Sequence, residues 1–142
     1  MKNIPIGQIL VENGFLKEDQ LEEALEKQRG EPGKKLGDVL LELGYVSETQ
    51  LAQALSIRLK VPFIDLTTTK IDIEAVKKIP EAIAKKNCCV AFQMNDSRLT
   101  VATNDPINFY IFEELKVISG MEIHAMIATR TAINETINKA YS

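Results

Sequence analysis

Residues 5–28 read PIGQILVENGFLKEDQLEEALEKQ, and residues 35–58 read KLGDVLLELGYVSETQLAQALSIR. Aligned at an offset of 30 residues without a gap, the two segments agree at nine of 24 positions. The identities are Gly7/Gly37, Leu10/Leu40, Glu12/Glu42, Gly14/Gly44, Glu18/Glu48, Gln20/Gln50, Leu21/Leu51, Ala24/Ala54 and Leu25/Leu55. Five further pairs exchange similar apolar residues, Phe15/Tyr45 and Leu16/Val46 among them. Ordinary composition would give roughly one or two identities by chance. The segment is a duplication, and its period governs the reading of everything around it.

Each copy has the layout of a short helix, a glycine break and a longer helix. In the second copy Leu36, Leu40, Leu41 and Leu43 form a stripe at helical spacing, and Gly44 stands where a left-handed C-terminal residue belongs. Ser47 is expected to cap the next helix, with Gln50 completing a capping box. Leu51, Ala54 and Leu55 then mark one buried face. The first copy repeats the scheme, with Gly14 as the break and Leu21, Ala24 and Leu25 as the face. RGEPGK between the copies is a polar Gly/Pro loop.

A four-helix unit with a pseudo-two-fold follows. Gly7 and Gly37 fall in the first turns of their helices, where glycine costs up to about 1 kcal/mol relative to alanine. Their presence implies close approach, either by another backbone or by a ligand phosphate drawn to the helix N-terminus. Such a repeat can serve only to build a core. It can also present two like surfaces to a ligand that has two like halves.

Beyond the repeat, VPFIDL (61–66) is extended and apolar, and IDIEAVKKIPEAIAKK makes two short helical turns interrupted at Pro80. NCCVAFQM and SRLTVAT read as strands joined by a tight turn at Asn95-Asp96. A helix is expected from about Phe109 to Ser119, ended by Gly120; EIHAMIA is a strand, and a last helix has Thr129 as N-cap. The expected class is therefore α+β. A duplicated helical subdomain over 1–60, with motifs 5–28 and 35–58, precedes a small three-stranded α+β subdomain over 61–142.

Composition narrows the function classes. An apolar share of 45% over 142 residues is enough to bury a core, so disorder is not expected. The net charge of -3, with no basic run longer than a lysine pair, gives no reason to expect nucleic-acid binding. No apolar stretch reaches the ~18 residues of a membrane span. The opening MKNIPIGQILVENG lacks a continuous apolar h-region and holds Glu12, so it is not a signal peptide. A start at Met1 and an end at Tyr141-Ser142 fit an N-terminal fragment or a naturally short chain equally well.

Candidate chemistry is thin. Cys88 and Cys89 are adjacent, too close for an easy bridge and too few for a zinc site, and read as buried reduced thiols on a strand. His124 is the single histidine and falls in an apolar strand, so a triad or His-rich metal site would have to rest on it alone. GEPGKK has its glycines too close together for a phosphate-binding P-loop, and Lys35 replaces the needed hydroxyl. Glu22, Glu23, Glu26, Glu113 and Glu114 read as solvated helix faces. Asp105, on the loop before a helix, is expected to cap that helix or to reach a ligand.

The doubled pattern resembles the paired motif of the N-terminal domains of type II secretion and type IV pilus assembly ATPases, the MshEN or GspE/PilB N-terminal family. The first copy supplies Ile6, Gly7, Leu10, Gly14, Leu16, Leu21, Leu25 and Gln28; the second supplies Leu36, Gly37, Leu40, Gly44, Val46, Leu51 and Leu55. VPFIDL, the Ile-Pro step at 79–80 and LTVATNDP extend the likeness over essentially the whole chain. The family motif begins with arginine where this chain has Pro5 and Lys35, and it closes with glutamine where the second copy has Arg58.

The resemblance implies a non-catalytic regulatory and docking domain without a Walker motif. Its implied partners are a downstream ATPase domain and the cytoplasmic part of an inner-membrane platform protein. It would be cytoplasmic, recruited to the inner face of the inner membrane, and neither inserted in the membrane nor bound to nucleic acid. Some members bind cyclic di-GMP through the two motifs, which implies this effector rather than a covalent cofactor or metal. The implied ligand set is Ile6, Gly7, Leu10, Gly14, Leu21, Leu25, Gln28, Lys35, Leu36, Gly37, Leu40, Gly44, Leu51, Leu55, Arg58 and Asp105. The alternative within the same resemblance is a pure protein–protein docking domain with no nucleotide site.

Overall fold

Leucine stripes and two glycine breaks yield four helices in the first sixty residues: α1 (Ile6–Glu12), α2 (Glu18–Arg29), α3 (Leu36–Leu43) and α4 (Glu48–Leu59). The structure, a computed structural model, describes residues 5–142, so the first four residues of the stretch weighed as a signal peptide lie outside it. The chain divides into two compact units, the first ending at Lys60 and the second spanning Val61–Ser142.

The helix breaks follow local chemistry. Gly44 closes α3 at φ 75°, and Gly14 takes φ 74° just after α1, a conformation that costs glycine nothing. Ser47 caps α4: its hydroxyl accepts from the Gln50 N–H at 3.1 Å, while the Gln50 side chain accepts from the Ser47 N–H at 3.0 Å. The equivalent Lys17 has no side-chain oxygen. There Gln20 still accepts from the Lys17 N–H at 3.0 Å, but the Gln20 N–H turns to Asp19 Oδ1 instead.

Packing in this unit exchanges partners between the copies, with α1 against α4 and α2 against α3. The buried centre is four equivalent pairs: Ile9/Val39, Leu10/Leu40, Leu16/Val46 and Ala24/Ala54. Leu25 and Leu55 depart from expectation. Both are half-buried and stand outside this cluster, so the inner faces of α2 and α4 rest on their alanines instead.

The second unit contains α5 (Ile73–Val76), α6 (Glu81–Asn87), β1 (Cys89–Met94), β2 (Arg98–Thr103), α7 (Phe109–Ser119), β3 (Glu122–Ile127) and α8 (Arg130–Ala140). The sheet order is β1-β2-β3, antiparallel in the first pair and parallel in the second, with α7 as the crossover. Asn95 makes the hairpin turn, its side-chain oxygen accepting from the Ser97 and Arg98 N–H groups. The extended 61–66 stretch bonds alongside the end of β3: the Ile127 N–H donates to the Pro62 carbonyl and the Ile64 N–H to the Ile127 carbonyl. Phe92, Leu99, Leu115, Ile133 and Ile137 fill the core between sheet and helices. The Tyr141 hydroxyl lies 2.6 Å from the Ile79 carbonyl and 3.1 Å from that of Val76, tying the end of the chain to the α5–α6 turn.

Two further expectations are corrected here. Cys89 is buried on β1, which pushes its thiol up to about 12, but Cys88 is half-buried at φ 49° and terminates α6 instead of joining the strand. Asp105 does not cap α7. Asn108 does, its side chain accepting from the Ile111 N–H at 3.4 Å, because only the residue just before Phe109 can reach that donor.

Candidate functional site

The residues named from sequence separate into frame and surface. Leu10 and Leu40 are fully buried at the centre of the first unit, where they can shape a site but touch nothing outside it. Gly14 and Gly44 serve the turns. Gly7 and Gly37 are explained by packing of a kind the sequence did not suggest: the neighbour is a leucine of the same copy, not a backbone. A Cβ on Gly7 would stand 2.6 Å from Leu21 Cδ1, and one on Gly37 would stand 3.0 Å from Leu51 Cδ2. Leu21 and Leu51 are thereby committed to closing their own repeats.

The accessible remainder is Ile6, Leu25 and Gln28 from the first copy, with Lys35, Leu36, Leu55 and Arg58 from the second. Pro5 and Lys35 occupy equivalent N-cap positions with nearly the same backbone, φ -58° and ψ 147° against φ -76° and ψ 146°. Both are exposed. Neither offers a side-chain cap, so the first-turn N–H groups there receive no capping bond from the N-cap side chain. Gln28 is partly committed, its amide donating to the Lys34 carbonyl at 2.9 Å and pinning the loop start of α3 to the end of α2. Asp105 belongs to the second unit, where its N–H donates to Thr103 Oγ1 at 3.0 Å.

Charges missed by the sequence reading cluster at the start of the second copy. Glu42 pairs with Lys34 and lies 3.9 Å from Lys27, while Glu31 stands 3.8 Å from Lys34. The hydrogen bond from Lys34 holds the Glu42 carboxyl below its ordinary range, and the same bond raises the Lys34 ammonium. The Lys35 ammonium and the Arg58 guanidinium have no ion-pair partner among the described residues. The only advance signal for this cluster was the Lys34-Lys35 pair, which the repeat does not duplicate. Next to it lies an open depression of about 300 Å³, lined by Gln28, Arg29, Glu31, Pro32, Gly33 and Lys34. No three His, Cys, Asp or Glu side chains converge as a metal site among the described residues.

The geometry is a duplicated helical scaffold with apolar and cationic groups on its surface. The model of the MshEN domain matches residues 59–142, more than half of the chain. The chain belongs to the MshEN domain family. MshE solved with cdg has 33% sequence identity and a TM-score of 0.80, over 97% of this chain and 99% of that one, so the likeness includes the repeat. The type IV pilus assembly ATPase PilB of Myxococcus xanthus (strain DK1622) is 29% identical over 137 residues, 96% of this chain. The chain spans only 24% of PilB's length. The N-terminal domain of XpsE shares the fold at TM-score 0.68, with 22% identity and 97% of each chain covered. This MshEN chain is thus related to MshE and to part of the type IV pilus assembly ATPase PilB. No helix among its described residues is long and apolar enough to cross a membrane.

Proposed function

We propose that this domain is the regulatory and docking module of a pilus or secretion ATPase, and that it binds cyclic di-GMP through the two copies of its repeat. The carrying observation is the pseudo-two-fold arrangement of equivalent accessible groups, taken with the 33% identical MshE solved with cdg, which we take to be this nucleotide. Cyclic di-GMP has two like halves, each with a purine and a phosphate. Leu25 and Leu55, half-buried outside the core, offer equivalent apolar surfaces for the purines. Ile6 and Leu36 are equivalent half-buried groups at the starts of the short helices, and Lys35 supplies a cation next to N–H groups without a side-chain cap, which favour an anion.

The nucleotide would control a downstream ATPase domain in the same protein, in keeping with the 24% share of PilB that this chain spans. The assembly would work in the cytoplasm, recruited to the inner membrane through a platform protein. Calorimetric titration with cyclic di-GMP, with GTP and ATP as controls, tests the reading. Saturable micromolar or tighter binding is expected, weakened by Lys35→Ala and by Gly37→Trp, which drives a bulky ring into Leu51. Absence of heat, with no thermal shift at high ligand, would leave a docking domain without a nucleotide site.

A further inference from the structure

At the two equivalent polar positions that open and close the motif, the halves of the repeat place their cation differently. In the second half the cation is Lys35, at the N-cap of α3, and on the long helix packed on α3 the closing position of the motif is the uncharged Gln28, between Lys27, which lies 3.9 Å from Glu42, and the terminal Arg29. In the first half the N-cap position holds Pro5, and the long helix packed on α1 carries Arg58 where Gln28 has its equivalent. The bond from Gln28 to the Lys34 carbonyl shows that this position of a long helix adjoins the start of the short helix packed on it. Arg58 occupies the equivalent position on α4, is exposed, and has no ion-pair partner among the described residues.

The geometry points to Arg58 as the specificity-determining cation of the first half, compensating across the α1–α4 contact for the charge that Pro5 cannot carry. The inference rests on the cyclic di-GMP reading above and assigns one phosphate to each half, Lys35 serving one and Arg58 the other. Lys34 is not available for this role because Glu42 and Glu31 already engage it. A guanidinium presents a planar fork to a phosphate and can stack on a base, which gives position 58 a use that its glutamine counterpart does not have.

The test exchanges the cation within the first half. Cyclic di-GMP is titrated against the wild-type domain, Arg58→Gln, and the double variant Pro5→Lys with Arg58→Gln, which gives the first half the residues of the second. Arg58→Gln is expected to weaken binding about tenfold or more, and the double variant to recover most of that loss. Thermal melting of each variant separates a lost contact from a lost fold, since Arg58 also sits favourably at a helix C-terminus. Unchanged affinity in Arg58→Gln, with the wild type binding, would overturn this assignment and leave the nucleotide reading standing. A loss that Pro5→Lys does not restore would overturn the exchange between helices. If the wild type itself fails to bind, both the reading and the assignment fall.

Discussion

In the first copy of the repeat Leu10 is fully buried and Glu12 accepts a hydrogen bond from Gln8 at 3.4 Å; in the second Leu40 is equally buried, but Glu42 gathers Lys34 and Lys27. The same contrast runs through both copies. Four buried pairs keep their apolar character, while Pro5/Lys35, Lys17/Ser47, Lys27/Ile57 and Gln28/Arg58 differ in chemistry. Close packing explains the first half of this pattern, because the helices of the two copies pack against each other, α1 on α4 and α2 on α3, and in a packed core even one methylene is felt. Exposed ion pairs are worth little to stability, so the surface was free to diverge. What the divergent surface now does is therefore a question about ligands and partners, not about the fold.

The largest effects should fall on the shared centre. Leu10→Ala and Leu40→Ala should each cost about 2–5 kcal/mol in denaturant unfolding, and the two losses should agree within about 1 kcal/mol. A marked inequality would mean that the copies no longer share one packing scheme. Smaller effects are expected at the paired glycines. Gly7→Ala forces Leu21 aside from a 2.6 Å approach and should cost about 1 kcal/mol net, whereas Gly37→Ala, at 3.0 Å, should come out near neutral as helix propensity offsets crowding. Equal costs in thermal melts would place the strain elsewhere than in these leucines. The smallest effects belong to the caps. Ser47→Ala should lose about 1 kcal/mol, and Lys17→Ser should gain somewhat less by completing the first copy's half-made box.

Much of this was legible in the residues because local rules acted alone there. Gly44 and Gly120 both adopt left-handed φ at the ends of helices, and Ser47 with Gln50 makes the expected box. The β1–β2 turn and the span of α7 likewise follow from turn and cap chemistry. Legibility failed where a second element decided the outcome. Periodicity places Leu25 and Leu55 on the inner faces of their helices but cannot say where the packed neighbour stops, and the core closes before reaching them. Gly7 and Gly37 announced a close approach without naming the leucine that makes it. Cys88 takes φ 49° because α6 must end beside β1 and no glycine is there to do it, and Lys60 takes φ 56° at the end of α4 in the same way. In the candidate site, the duplicated positions were visible at once. The Lys34–Glu42 pair and the Gln28 tether were not, since long polar side chains leave no periodic trace.

An amide chemical-shift titration of the domain with cyclic di-GMP would test most directly whether the two copies act as one site. The expected result is one saturating event that perturbs equivalent positions together, residues 6–7 with 36–37 and residues 25–28 with 55–58. Shifts confined to one copy, or confined to the second unit, would contradict a nucleotide held by both halves of the repeat.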